Sequence, residues 1–261
     1  MTTATGRTAP GAAPGSGWDE QQPVIVLLDT SASMNRPADA PPIADLNRAL
    51  ARGLDSIRAR ERLRTRVGVC LVAFDSRVRV FDASAGAFRA PEEADGEALF
   101  SPLDELRPPA LTAEGFTCLV PALRFALDLA RRRYRDLAAR RVPVLRPLIW
   151  LITDGAPSDA SGARLDAAEV AATAEQLRQA EQAGECLLFV IGVEGADLEV
   201  LEALAPRATH LLAGLDFGRI LDVVFLSSER AGHRTAEEVS AEVEDYAANT
   251  DILDGLEEEH R

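Results

Sequence analysis

Lysine is missing from this chain of 261 residues: all 28 basic residues are arginine. No amine side chain is therefore present to hold a phosphate. Cysteine is scarce. Cys70, Cys118 and Cys186 are far apart and odd in number, which argues against a disulfide framework and a cysteine zinc site and suits a reducing cytosol. His210 and His233 show no ligand-pair spacing. No run of 18 apolar residues occurs, so a membrane-spanning helix is not expected. The opening MTTATGRTAPGAAPGSG has no apolar stretch, so no secretory leader is expected either. Positive charge is short as well. The net charge of −14 disfavours wholesale nucleic-acid binding. A Gly-rich phosphate loop, a Gly-x-Ser-x-Gly elbow and an internal repeat are all lacking.

What remains is ordinary globular material, long enough for one large α/β domain. Residues 1–22 are rich in Ala, Gly, Thr and Pro and are expected to be disordered. From residue 23 to 228 short apolar runs alternate with helical patterns, which reads as βαβ units and a mainly parallel sheet. The strands expected are Val24–Asp29, Arg66–Phe74, Val78–Phe81, Leu148–Thr153, Cys186–Val193 and His210–Leu212. Helical stripes run through Ile43, Leu46, Leu50, Leu54 and Ile57, and through Leu119, Ala122, Leu123, Ala126, Leu127 and Ala130. Further helices are expected over Ala163–Ala183, Leu198–Leu204 and Asp216–Leu226. Residues 83–113 read as irregular. Residues 229–261 carry 11 acidic side chains and three arginines, an acidic tail expected to be partly helical or disordered.

Three places carry chemistry. Asp29-Thr30-Ser31-Ala32-Ser33-Met34 begins where the first strand ends. Thr117 stands just before a helix. Thr153-Asp154-Gly155 closes another strand. In an open parallel sheet, ligands bind beyond the carboxyl ends of the strands where the chain order reverses. If those two strands are neighbours there, Asp29 and Asp154 share one crevice, and Ser31, Ser33 and Thr117 add hydroxyl oxygens. Two carboxylates and three hydroxyls make a hard, all-oxygen site. It suits Mg²⁺, with Mn²⁺ or Ca²⁺ as alternatives, and not zinc. Each piece taken alone also reads as a turn or a helix cap.

The same residues, with VAFDSRVRVF, LTAEGFTCLVPALRFALDLA and PLIWLITDGAPSD around them, resemble the von Willebrand factor A domain and its metal-ion-dependent adhesion site. They are most similar to bacterial stand-alone A domains of the tellurite-resistance and stress-associated type. The resemblance implies a Rossmann-like, doubly wound, mostly parallel six-stranded sheet with one antiparallel edge strand and helices on both faces. It implies metal-dependent binding of a partner protein's carboxylate rather than catalysis. It also implies a cytoplasmic adaptor role in a stress or defence assembly, alongside a kinase and a phosphatase, with neither nucleic acid nor membrane as partner. The rival is a Mg²⁺-dependent phosphoryl-transfer enzyme; a third reading is a scaffold with a structural metal.

One departure from the resemblance is Phe116, where a small residue is usual. It stands either to narrow the approach to the metal or to pack against the loop. Glu114 reads as a solvated loop residue, the alternative being a self-supplied ligand. Asp75 reads as a hairpin-turn residue, Asp159 as a helix cap and Cys118 as a small helix-start residue. The seven arginines of Arg131–Arg146 read as the solvated end of a helix, the alternative being a dock for an acidic partner or for the chain's own tail.

Overall fold

A computed structural model describes residues 20–58, 66–94, 99–103, 105–107, 110–154, 156–192, 196–205, 209–211 and 241. The acidic tail, the helix expected at Asp216–Leu226 and most of the Ala/Gly/Thr/Pro-rich opening lie outside these residues.

The longest apolar runs form the middle of one sheet. Strands β1 (Gln22–Asp29), β2 (Val67–Phe74), β6 (Leu148–Thr153) and β7 (Leu187–Gly192) pair in parallel. Nearly every residue in them is buried, because helices cover both faces and alternation is not required of a two-sided strand. Three short antiparallel pieces follow: β3 (Val78–Asp82) and β5 (Ser101–Pro102) pair with β2, and β4 (Ala87–Arg89) pairs with β3, while β8 (Thr209–Leu211) pairs in parallel with β7. The order is β4-β3-β2-β1-β6-β7-β8, with β5 also on β2. The six expected strands are all present. β4 and β5 are additional, so residues 83–113 are less irregular than their prolines indicate.

Side chains alternate between two cores. Val24, Val26, Leu28, Trp150 and Phe189 face α1 (Pro42–Arg58), whose Ile43, Leu46, Leu50 and Leu54 complete that layer. Ile25, Leu27, Ile149, Leu151 and Val190 face α2 (Leu119–Ala139), α3 (Ala167–Gln182) and α4 (Leu198–Leu204). α1 starts on Pro42, where a missing N–H and a fixed φ suit a first helical residue. α2 runs nine residues beyond the expected Ala130, because arginine is a good helix former and Leu137 renews the buried stripe. α3 begins at Ala167 rather than Ala163: the Asp166 carboxylate caps it by accepting from the Ala168 N–H at 3.3 Å.

The function-bearing feature is the neighbour of β1. On one side lies β2, the next strand in sequence; on the other lies β6, with Leu28 opposite Ile152. Chain order reverses between β1 and β6, so the crevice beyond their carboxyl ends is the switch point of the sheet.

Candidate metal centre

Asp29 is the last residue of β1 and is fully buried. One carboxylate oxygen accepts from the Ser31 N–H at 2.8 Å, the other from the Thr153 hydroxyl at 2.5 Å. Burial pushes its carboxyl up to about 6; the bonds from Thr153 and Ser31 oppose that rise, and the charge of Asp154 adds to it. Asp154 follows the end of β6 and is 8% exposed. Burial raises its carboxyl too, against the pull of the Ser33 hydroxyl, which donates to it at 2.9 Å. The Ser31 and Ser33 hydroxyls lie 2.8 Å apart. One connected network thus runs from Asp29 through Ser31 and Ser33 to Asp154. A single turn of 3-10 helix, Ala32–Asn35, folds the loop back so that both serines can join it.

Thr117 is brought in by backbone. The Glu114 N–H donates to Thr30 O at 2.8 Å and the Ala32 N–H to Gly115 O at 3.0 Å, joining the 114–115 turn to the serine loop. The Ser158 N–H donates to Thr117 O at 2.9 Å, and the Cys118 N–H to Asp75 O at 3.1 Å. Thr117 is therefore held between the serine loop, the β2–β3 turn and the segment that follows Asp154. Its side chain is buried, and its hydroxyl makes no hydrogen bond among the described residues.

Asp29, Ser31, Ser33 and Asp154 are thus joined by hydrogen bonds at the switch point, and Thr117 follows a turn whose backbone is bonded to the serine loop; Gly155 lies outside the described residues. Sequence reasoning passed over Thr153 as an Asp29 partner, because only the register of β1 with β6 shows that the two strand ends meet. It also passed over Arg79. Asp75 is the hairpin-turn residue expected, accepting from the Arg77 N–H at 2.9 Å. In addition it forms a half-buried ion pair with Arg79, beside the Thr30 hydroxyl. A cation four residues after Asp75 on a hairpin arm was the available signal.

The electrostatics follow. The Arg79 guanidinium pairs with Asp75, and among the described residues no ion pair reaches Asp29 or Asp154. Two buried carboxylates with no positive partner are unfavourable as they stand. Among the described residues no group of three or more His, Cys, Asp and Glu side chains assembles. The donor set is two carboxylates and hydroxyls, a composition that fits a hard divalent cation retaining water ligands.

The remaining expectations resolve by geometry. Glu114 is exposed, and it is its backbone that engages the serine loop. Phe116 packs against the loop at Gly162, where any Cβ would come within 2.5 Å of the ring. Asp159 is not a helix cap: its carboxylate organises its own loop, accepting from the Ser161 and Ala163 N–H groups at 2.8 and 3.0 Å. Cys118 is buried at the start of α2, and burial pushes its thiol up, with help from the charges of Asp159, Asp75 and Asp29. In the arginine-rich segment Arg131 bonds Glu185 at 2.7 Å, and Arg133 lies 5.0 Å over the Phe100 ring.

No family model and no curated protein matches the chain. Solved structures do. A von Willebrand factor type A protein from Catenulispora acidiphila superposes with TM-score 0.52 at 17% identity, over 80% of this chain and 42% of that one. A variant of the PilB minor pilin from Streptococcus sanguinis gives 0.50 at 13% identity, over 84% and 63%. Proximal thread matrix protein 1 from the mussel byssus gives 0.47 at 17% identity, over 80% and 46%. The chain spans about half the length of the structures it matches. The fold is that of a von Willebrand factor A domain: a Rossmann-like, mostly parallel sheet with short antiparallel arms and helices on both faces.

Proposed function

We propose that this chain is a metal-dependent protein-interaction module. Asp29, Ser31, Ser33, Thr117 and Asp154 would hold a Mg²⁺-type cation, and the partner would supply an acidic side chain. The observation that carries the reading is the pair of buried carboxylates, Asp29 and Asp154, bridged by two serine hydroxyls and without an ion-pair partner among the described residues. A divalent ion there supplies the missing positive charge and, with few protein anions on it, stays attractive to an outside carboxylate. Thr153 and the Ser31 N–H fix the Asp29 carboxylate through both of its oxygens. Ser33 orients Asp154. The Thr117 hydroxyl, uncommitted among the described residues, is available to a ligand.

Binding rather than catalysis is the reading these residues favour. Burial pushes the thiols of Cys70, Cys118 and Cys186 up, that of Cys186 to about 12, so none is a ready nucleophile. The chain has no lysine to hold a phosphate. Cytoplasmic work in a bacterial stress or defence assembly, in the company of a kinase and a phosphatase, belongs to this proposal through the resemblance of the motif phrases to tellurite-resistance-type A domains. Among the described residues no helix is long and apolar enough to cross a membrane.

The test is a titration with Mn²⁺, followed by electron paramagnetic resonance, paired with capture of partners from host lysate in Mg²⁺ or EDTA. Wild type is expected to bind one Mn²⁺, and Asp154→Ala to bind it at least about tenfold more weakly. Partner capture is expected to need both Mg²⁺ and an intact Thr117, with Thr117→Ala as the comparison. Capture indifferent to EDTA would overturn the metal-bridged reading. Phosphoester hydrolysis abolished by Asp29→Ala would replace it with the enzyme.

A further inference from the structure

We infer that Phe116 is the specificity element of this site, an aromatic anchor for an apolar side chain lying one or two residues from the partner's acidic one. The inference rests on the metal-dependent reading above and adds a sequence requirement to the partner. Phe116 immediately precedes Thr117, on the turn whose backbone is bonded to the serine loop. Among the described residues two large apolar side chains are exposed, Phe116 at 46% and Tyr134 at 39%. Tyr134 stands on α2 among arginines. Phe116 stands in the site's own loop and is held there from three directions.

Its N–H donates to the Ser76 hydroxyl at 3.0 Å. Gly115, at φ +73°, lets the backbone turn against Ser76, whose Oγ would lie 2.7 Å from any Cβ. Gly162, at φ +84°, leaves room for the ring on the opposite side; a Cβ there would sit 2.5–2.9 Å from three ring atoms. The loop carrying Gly162 is in turn fixed by the Asp159 carboxylate. One edge of the ring thus rests against the backbone at Gly162, while the side chain stays 46% exposed. A side chain ordered before binding loses little further freedom when a partner covers it, and buried aromatic anchors are where binding energy concentrates.

Spacing sets the partner's chemistry. Thr117 and Phe116 are adjacent, with Cα atoms about 3.8 Å apart, and an extended partner advances about 3.3–3.6 Å per residue. A partner residue one or two positions from an acidic side chain on the cation is therefore within reach of Phe116. The partner that fits is an exposed strand-like segment with Asp or Glu followed or preceded closely by Leu, Ile, Phe or Tyr.

The experiment uses the full chain and immobilised capped heptapeptides with a central Glu, each flanking position in turn being Gly, Leu or Phe, probed in Mn²⁺ and in EDTA. Wild type is expected to retain Glu peptides in Mn²⁺ only, and to favour Leu or Phe over Gly at one flanking position by about fivefold or more, the size of a modest hot spot. Phe116→Ala is expected to lose that preference to within about twofold while still retaining the Gly-flanked peptide in Mn²⁺. Phe116→Tyr should keep the preference, which separates loss of the ring from loss of folding. Metal-dependent retention with no apolar preference in wild type, or a preference undiminished in Phe116→Ala, would overturn this inference and leave the metal reading standing. Mn²⁺ binding without retention of any peptide would overturn the partner-carboxylate reading and this inference together.

Discussion

Asp29 carries the sharpest consequence at the scale of single residues. Its folded pKa, about 6, lies above the ordinary 3.8, so the native state holds this proton more tightly than the unfolded chain does. That contribution is fully present below about pH 4 and is lost as pH rises through 6. Metal-free protein is therefore expected to lose stability from this group over that window, by up to about 3 kcal/mol. Asp29→Asn keeps an acceptor for Thr153 and carries no charge; it should be more stable than metal-free wild type in urea unfolding near neutral pH, yet bind no Mn²⁺. A variant that is less stable than wild type in EDTA would show that the carboxylate charge is already compensated. Thr153→Val tests the partner that the sequence reading passed over. The hydroxyl bond from Thr153 is the foremost influence holding Asp29 down. Its loss should shift the pH midpoint of Mn²⁺ binding upward by roughly a unit with little change in fold.

Turns and strand ends decide how the site is assembled at the scale of elements. Gly115 adopts φ +73° with the Ser76 hydroxyl where a Cβ would go. Gly115→Ala is expected to cost about 1–3 kcal/mol in thermal or urea unfolding and to weaken Mn²⁺ binding, because the same turn delivers Thr117. Unchanged Mn²⁺ affinity would show that Thr117 is positioned from the Ser158 side alone. The strands were legible wherever a run was continuously apolar, as in Val24–Leu28, Leu148–Ile152 and Leu187–Ile191. β4 and β5 were not, since Ala87-Phe88-Arg89 and Ser101-Pro102 are too short to show a period. The end of α2 was hidden by its arginines, whose helix propensity leaves no hydrophobic mark. The start of α3 was misplaced because Asp159 ties up the preceding residues in a loop that looks helical in composition. Of the site, the Asp-x-Ser-x-Ser loop, Thr117 and Asp154 were legible from residue type at element ends. The bond from Thr153 to Asp29 was not, since it depends on which strands are neighbours and in what register.

For the molecule as a whole, a cation that binds only the folded state raises stability by mass action. With Mg²⁺ at about a hundred times its dissociation constant the gain is about 2.7 kcal/mol. Thermal unfolding of wild type is expected to move upward with Mg²⁺ concentration and to fall back in EDTA, while Asp154→Ala stays flat. A shift of equal size in that variant would place the ion elsewhere on a surface carrying a net charge of −14.

The pairing of β1 with β6 also imposes a timetable. Asp29 and Thr153 are 124 positions apart, as Ser33 and Asp154 are 121 apart. A ribosome makes one half of the crevice long before the other, and the intervening chain must be gathered up before the halves meet. A nascent chain that stops short of Leu148 has one carboxylate, the two serines and Thr117, but lacks Asp154 and the Thr153 hydroxyl that holds Asp29. Capture of the cation therefore waits on the pairing of β1 with β6 and does not guide the start of the sheet.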